Sequence, residues 1–157
     1  ALTVTLCTDP DGNAPLFAPV DDVMRDLRTL AEEAGVTLYL EPLNISTDHP
    51  GNFLRDTQTA AELVRLIGSP RLKVLYDIYH MQLNEGRLCD TIRQYADTFG
   101  HVHAADAPGR REPGTGEIAF PRVYKALEAA GYTGLVGYEL FPARSTREAV
   151  KAILDAG

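Results

Sequence analysis

LKVLYDIYH, residues 72–80, is the stretch whose reading decides the fold. From Leu72 to Tyr76 the run is apolar apart from Lys73, and it then meets Asp77 and, three residues on, His80. A half-solvated strand alternates apolar and polar residues; a run this apolar predicts a strand buried on both faces, as in a parallel sheet. Four further β-rich runs resemble it: LTVTLCT (2–8), VTLYLEPLN (36–44), HVHAAD (101–106) and LVGYELF (135–141). Between them the apolar spacing changes to that of amphipathic helices. Val20, Val23, Leu27, Leu30 and Ala34 make one stripe, stopped by Gly35. Thr59 and Glu62 are spaced as a capping box for a helix running to Ile67, with Gly68 and Pro70 as stop signals. Leu88, Ile92, Tyr95, Ala96 and Phe99 predict a third helix ended by Gly100, and Val123, Leu127 and Ala130 a fourth ended by Gly131. Ser145 and Glu148 form a second capping box, opening a last helix with Val150, Ile153 and Leu154 turned inward.

The order is βαβαβαβαβα without a linker or low-complexity segment, so one α/β domain across 1–157 is expected. Strict alternation leaves two architectures, an open doubly wound sheet or a (β/α)8 barrel. A barrel of about 250 residues spends roughly 31 on each unit, and five units in 157 residues match that spacing. Neither GxGxxG nor a Walker-type loop follows the first strand, which weighs against nucleotide binding. Five units cannot close an eight-stranded barrel. Three units outside this chain, closure by assembly into a homo-oligomer, or an open sheet with bare edges all remain open.

The chain is 45% hydrophobic and 24% charged, an ordinary folded profile. It holds no apolar run near the roughly 18 residues of a membrane span, and ALTVTLCTDPDG lacks the basic start of a secretory signal, so no membrane partner and a cytoplasmic location are expected. Cys7 and Cys89 stand far apart and read as buried small hydrophobes. A net charge of −7, with Arg110 and Arg111 as the one basic cluster, argues against a nucleic-acid partner.

In parallel α/β folds chemistry gathers at the C-terminal strand ends. Glu41 stands there on the second strand, Asp77 on the third, His103 and Asp106 on the fourth, and Glu139 on the fifth. Three carboxylates and an imidazole at one depth repel and desolvate one another unless a cation neutralises them. Glu41, Asp77, His103 and Glu139 are therefore candidate ligands of a divalent metal. The oxygen-rich set favours Mn²⁺ or Mg²⁺ over Zn²⁺, and cobalt also fits. His101 shares the parity of His103 but enters the strand earlier and reads as packing. His80 falls past the strand end, where it reaches a ligand from the loop. Arg110 sits in a loop with Gly109, Gly114 and Gly116, and its fork suits a carboxylate or phosphate. Arg111 reads as solvated, while Asp106 (loop cap or orienter of Arg110) and Glu117 keep two readings each.

LYLEPLN, SPRLKVLYDIYHMQ, HVHAADAPGRREPGTGEI and GYELFP resemble the hydroxypyruvate isomerase family, within the xylose isomerase-like TIM barrels. The likeness runs from about residue 36 to the C-terminus and is most specific in DIYHMQ and PGRREPGTGEI. It implies the C-terminal five of the eight units of a TIM barrel, with metal on Glu41, Asp77, His103 and Glu139. It also implies that Glu41 and Glu139 double as the acid/base pair, and that His80 and Arg110 contact the substrate. One departure is visible: the family usually carries glutamine where this chain has His103, a histidine resembling the ketose epimerases of the superfamily. The expected activity is hydroxypyruvate–tartronate semialdehyde isomerisation through an enediolate, on a small keto acid. A 2-oxo-tetronate isomerase, a ketose 3-epimerase and a non-catalytic barrel fragment are the alternatives. A DNA-repair nuclease of this fold is disfavoured by the small number of histidines and the acidic chain.

Overall fold

The structure is a computed structural model, describing residues 2–4 and 20–157, with side chains from residue 25 onward. Residues 5–8 of the first predicted strand, Cys7 and the side chains of Val20 and Val23 lie outside the described residues. The elements run β1 (Leu2–Val4), α1 (Val20–Glu33), β2 (Leu38–Leu40), α2 (Thr57–Ile67), β3 (Leu72–Asp77), α3 (Ile78–Asn84), α4 (Leu88–Tyr95), β4 (Phe99–Ala104), α5 (Phe120–Ala129), β5 (Val136–Tyr138) and α6 (Thr146–Ala156).

Every strand pair is parallel, and the five strands stand in chain order, β1-β2-β3-β4-β5. A doubly wound sheet reverses its order at a switch point; a sheet laid down in strict sequence is the wall of a (β/α) barrel. The core lies on the helix side of the sheet. Leu40, Val74, Tyr76 and Val102 point outward and pack with Ala60, Val64, Ile92 and Val123 from α2, α4 and α5. Each such aliphatic side chain contributes about 1.5–3 kcal/mol on burial. By the two-residue strand period the opposite face carries Tyr39, Glu41, Leu75, Asp77, His101 and His103.

That face keeps its phase because of one bulge. Val74 pairs with Phe99, but its neighbour Leu75 pairs with His101, so Gly100 is the extra residue. Phe99 faces outward and stacks on Tyr76 at 4.6 Å. A Cβ at position 100 would lie 2.5 Å from the Tyr39 ring and 2.7 Å from the Lys73 Cβ, so only glycine fits. After the bulge His101 and His103 both face the inner side, and Asp77 is paired directly with His103.

Several boundaries differ from those expected. The third strand ends at Asp77 instead of His80, because the Asp77 side chain accepts hydrogen bonds from the backbone N–H groups of Tyr79 and His80 and starts α3. The helix over 88–99 stops at Tyr95 and passes through a 3-10 turn, Ala96–Thr98, into β4, so Phe99 and Gly100 belong to the strand. Helix α2 is capped by Asp56, which accepts from Thr59 N, and Thr59 is its third residue instead of its cap. Ser145 caps α6 as predicted, accepting from Glu148 N. The inward apolar face expected on α6 is uncovered: Val150 is 48% and Leu154 75% exposed, and Ala149 alone is buried on that helix. Cys89 is half-buried instead of buried, packing against the edge of the core with its Sγ 3.7 Å from the Arg122 carbonyl. No described helix is long and apolar enough to cross a membrane.

Candidate metal centre

Four segments deliver the polar side chains to one point. Pro42 disfavours a helical turn at the residue before it and so keeps Glu41 extended as it leaves β2. Asp77 closes β3 with its two oxygens divided: Oδ1 takes the N–H groups of Tyr79 at 2.8 Å and His80 at 3.2 Å, which leaves Oδ2 free for the inner face. His103 stands beside it in the parallel register. Its β5 neighbour is Gly137, where a Cβ would lie 3.0 Å from His101 Nε2 and 3.3 Å from His103 Cδ2. Both imidazoles use the room that the missing side chain leaves.

One ligand atom from each of Glu41, Asp77, His103 and Glu139 lies within 4.8 Å of the other three. His103 Nδ1 faces Glu41 Oε1 at 3.6 Å, Glu139 Oε2 at 3.5 Å and Asp77 Oδ2 at 3.9 Å. It has no hydrogen-bond partner among the described residues, although it is buried at that atom. A cation bound at about 2.1 Å spaces its ligands from about 3.0 Å apart at right angles to about 4.2 Å when opposed. The three spacings from His103 fall within that range, and three carboxylate oxygens with one imidazole nitrogen are a donor set suited to a divalent metal. Glu41 and Asp77 are buried, His103 is partly buried and Glu139 is exposed. Glu139 avoids the cost of burial, since its side chain stays 57% exposed and pairs with Arg110.

Protonation reflects the crowded charge. Burial, then the neighbouring Glu41 charge, holds Asp77 well above the usual carboxylate range. His103 is raised by its contact with Glu41; burial opposes this, and Asp77 and Glu139 reinforce it. His80 moves the other way, pushed down to about 3 by burial and by the Arg110 charge.

His80 is not in a loop: it lies in α3, fully buried, with Nε2 3.8 Å from Asp77 Oδ2. Arg110 has its guanidinium bonded to the Glu139 carboxylate, 3.9 Å from Asp77 Oδ2 and 5.3 Å above the Tyr79 ring. The loop that holds Arg110 is organised by Asp106, which is buried and accepts four backbone N–H groups: Ala107 and Ile118 on Oδ1, Gly114 and Gly116 on Oδ2. Asp106 is thus the loop cap, not a partner of the Arg110 side chain. Glu112 accepts from Ala143 N, and the Arg110 carbonyl accepts from Phe141 N, so the loop is tied to the segment that bears Glu139. Glu117 accepts from Gln82 Nε2 at 3.3 Å, and Arg111 reaches the Pro142 carbonyl at 3.5 Å. His101 packs between Tyr39 and His103. Asn44, Asp48 and Tyr79 also line this region and were not singled out from the sequence. EPLN and DIYH offered no signal for them beyond proximity to Glu41 and Asp77.

The family described as a xylose isomerase-like TIM barrel matches residues 10–156. Hydroxypyruvate isomerase of Escherichia coli K12 is 38% identical over 136 residues, which is 87% of this chain and 52% of that protein. A 2-oxo-tetronate isomerase of Cupriavidus necator is 34% identical over 116 residues, 74% of this chain and 44% of that one. Among solved structures, a Brucella melitensis protein described as an AP endonuclease, family 2, superposes with a TM-score of 0.80 at 32% identity, over 86% of this chain and 53% of that one. The chain spans about half the length of the curated relatives it matches.

Proposed function

This chain belongs to the xylose isomerase-like TIM barrel family, and from that premise we propose that it serves a metal-dependent isomerase interconverting hydroxypyruvate and tartronate semialdehyde. The observation that carries the reading is the meeting of Glu41, Asp77, His103 and Glu139 within 4.8 Å, with Arg110 at the same point. These four would hold the cation, Mn²⁺ or Mg²⁺ by the chemistry of the donors. When bound, it supplies Lewis-acid stabilisation of the oxygen charge that develops between two neighbouring carbons.

The protein's own groups do the proton work. One of Glu41 and Glu139 removes a proton from C3 of hydroxypyruvate; the C2–C3 double bond forms as the C2 carbonyl electrons move onto oxygen, giving the enediolate. The other glutamate returns a proton to C2, while the C3 hydroxyl proton passes to the C2 oxygen and the C3 aldehyde forms. Burial of Glu41 and exposure of Glu139 give the two carboxylates different surroundings, as a donor and an acceptor require. Arg110 binds the substrate carboxylate through its fork, and His80 contacts the substrate from below. Isomerisation of a 2-oxo-tetronate, also an acid, uses the same parts. The histidine at position 103 supports a second reading, a ketose epimerase without need of the carboxylate clamp.

Replacing Glu139 by glutamine is expected to abolish exchange of the substrate's carbon-bound proton with deuterium from solvent, followed by NMR with Mn²⁺ or Mg²⁺ supplied. Undiminished exchange overturns the assignment.

A further inference from the structure

The surroundings of His80 determine which of its nitrogens carries the proton. Asn44 is fully buried, and its Oδ1 accepts the backbone N–H groups of Thr47 at 3.0 Å and Asp48 at 3.1 Å. Those two groups can only donate, so this end of the amide is oxygen and the other end is NH₂. The NH₂ group reaches Asp48 Oδ2 at 2.8 Å and His80 Nδ1 at 2.7 Å, and the Asn44 backbone N–H reaches the same Nδ1 at 3.2 Å. Two donors converge on Nδ1, which therefore presents its lone pair, and the proton sits on Nε2. Nε2 is buried, has no hydrogen-bond partner among the described residues, and points at Asp77 Oδ2 from 3.8 Å, beyond bonding distance. A buried donor left without an acceptor carries the full cost of its lost hydration. Such a group at the edge of the carboxylate cluster is explained if a ligand oxygen completes it.

We propose that Asn44 is a positioning residue that locks His80 as its Nε2–H tautomer, so that His80 offers a fixed hydrogen-bond donor, and not a base, to an oxygen of the substrate. The lock is a property of the chain itself; its catalytic consequence rests on the isomerase reading above. Asn44 acts through His80 and touches no reacting atom. Asp48 takes part as the anchor of the amide: burial works to raise its pKa, but hydrogen bonds from Asn44 and Tyr79 outweigh this and hold it below the usual range, as an acceptor.

Long-range ¹H–¹⁵N correlation on the ¹⁵N-histidine-labelled chain tests the lock without turnover. His80 Nδ1 is expected at the shift of an unprotonated imidazole nitrogen and Nε2 at that of a protonated one. Asn44→Asp places an acceptor where the amide donated and leaves only the backbone N–H on Nδ1, and is expected to move part of the population to the Nδ1-protonated tautomer. If that variant does not fold, Asn44→Ser is expected to give a mixture of tautomers. An Nδ1-protonated or averaged His80 in the unaltered chain, or a variant spectrum unchanged from it, overturns the lock. In a hydroxypyruvate assay, Asn44→Asp is expected to lower kcat by about a hundredfold, the scale of one lost donor at a developing oxyanion, with a smaller change in KM. Unchanged kcat overturns the donor role. If the unaltered protein turns over no hydroxypyruvate yet shows the fixed tautomer, the isomerase reading falls and the lock stands.

Discussion

Asp106→Asn alters one oxygen in the buried carboxylate that organises the Arg110 loop. The two pairs of N–H groups on that carboxylate are not equivalent. Ala107 and Ile118, on Oδ1, are buried, whereas Gly114 and Gly116, on Oδ2, are exposed. An asparagine keeps its oxygen toward the buried pair, where an orphaned donor would find no water. Its NH₂ then faces Gly114 N and Gly116 N, both of which now lie 2.8 Å from an acceptor, so donors meet a donor. Two hydrogen bonds to a charged group are lost at about 1.5–3 kcal/mol each, partly recovered from water at the exposed glycines, for a net loss of about 3 kcal/mol. With a urea m-value of about 2 kcal/mol/M for a chain of this size, the midpoint falls by about 1.5 M. Amide hydrogen exchange locates the loss: Gly114 and Gly116 lose protection while Ala107 and Ile118 keep theirs. A midpoint within about 0.3 M of the unaltered chain, or loss of protection at Ile118 first, refutes this account of the loop.

Two further outcomes follow from the charge at the site. Asp77 and His103 both hold their protons above the ordinary range, and a cation binds only their deprotonated forms, so Mn²⁺ affinity should rise with pH from about 4 to beyond 6.5, by up to about tenfold per pH unit for each proton released; calorimetry showing constant affinity between about pH 5.5 and 7.5 contradicts the donor set. Arg110→Ala should raise KM for hydroxypyruvate and other acids by about tenfold or more, the scale of a lost charged hydrogen bond, while KM for a neutral ketose rises less, any loss of kcat through the Arg110–Glu139 pair being common to both; equal KM effects on both remove the carboxylate clamp.

Much of this protein is decided by local pattern. Continuous apolar runs, helix stripes ended by Gly35, Gly68 and Gly131, and the Ser145 cap follow from side-chain periodicity and backbone chemistry, which act over a few residues. They yield the (β/α) order and, with the C-terminal strand-end rule, Glu41, Asp77, His103 and Glu139 as one set. Periodicity does not separate a strand's last residue from a helix's first when the same side chain serves both. Asp77 does so, capping α3 with one oxygen and facing the cluster with the other, and so the helical, buried place of His80 was not legible. Unit length and the family resemblance pointed to a barrel wall over a doubly wound sheet, and the strand order, a property of pairing between distant segments, bears that out. The tautomer of His80 is set by Asn44, 36 residues away, and the direction of the amide by Thr47 and Asp48. Hydrogen bonds of that kind depend on where three separate segments meet, and only the folded chain brings them together.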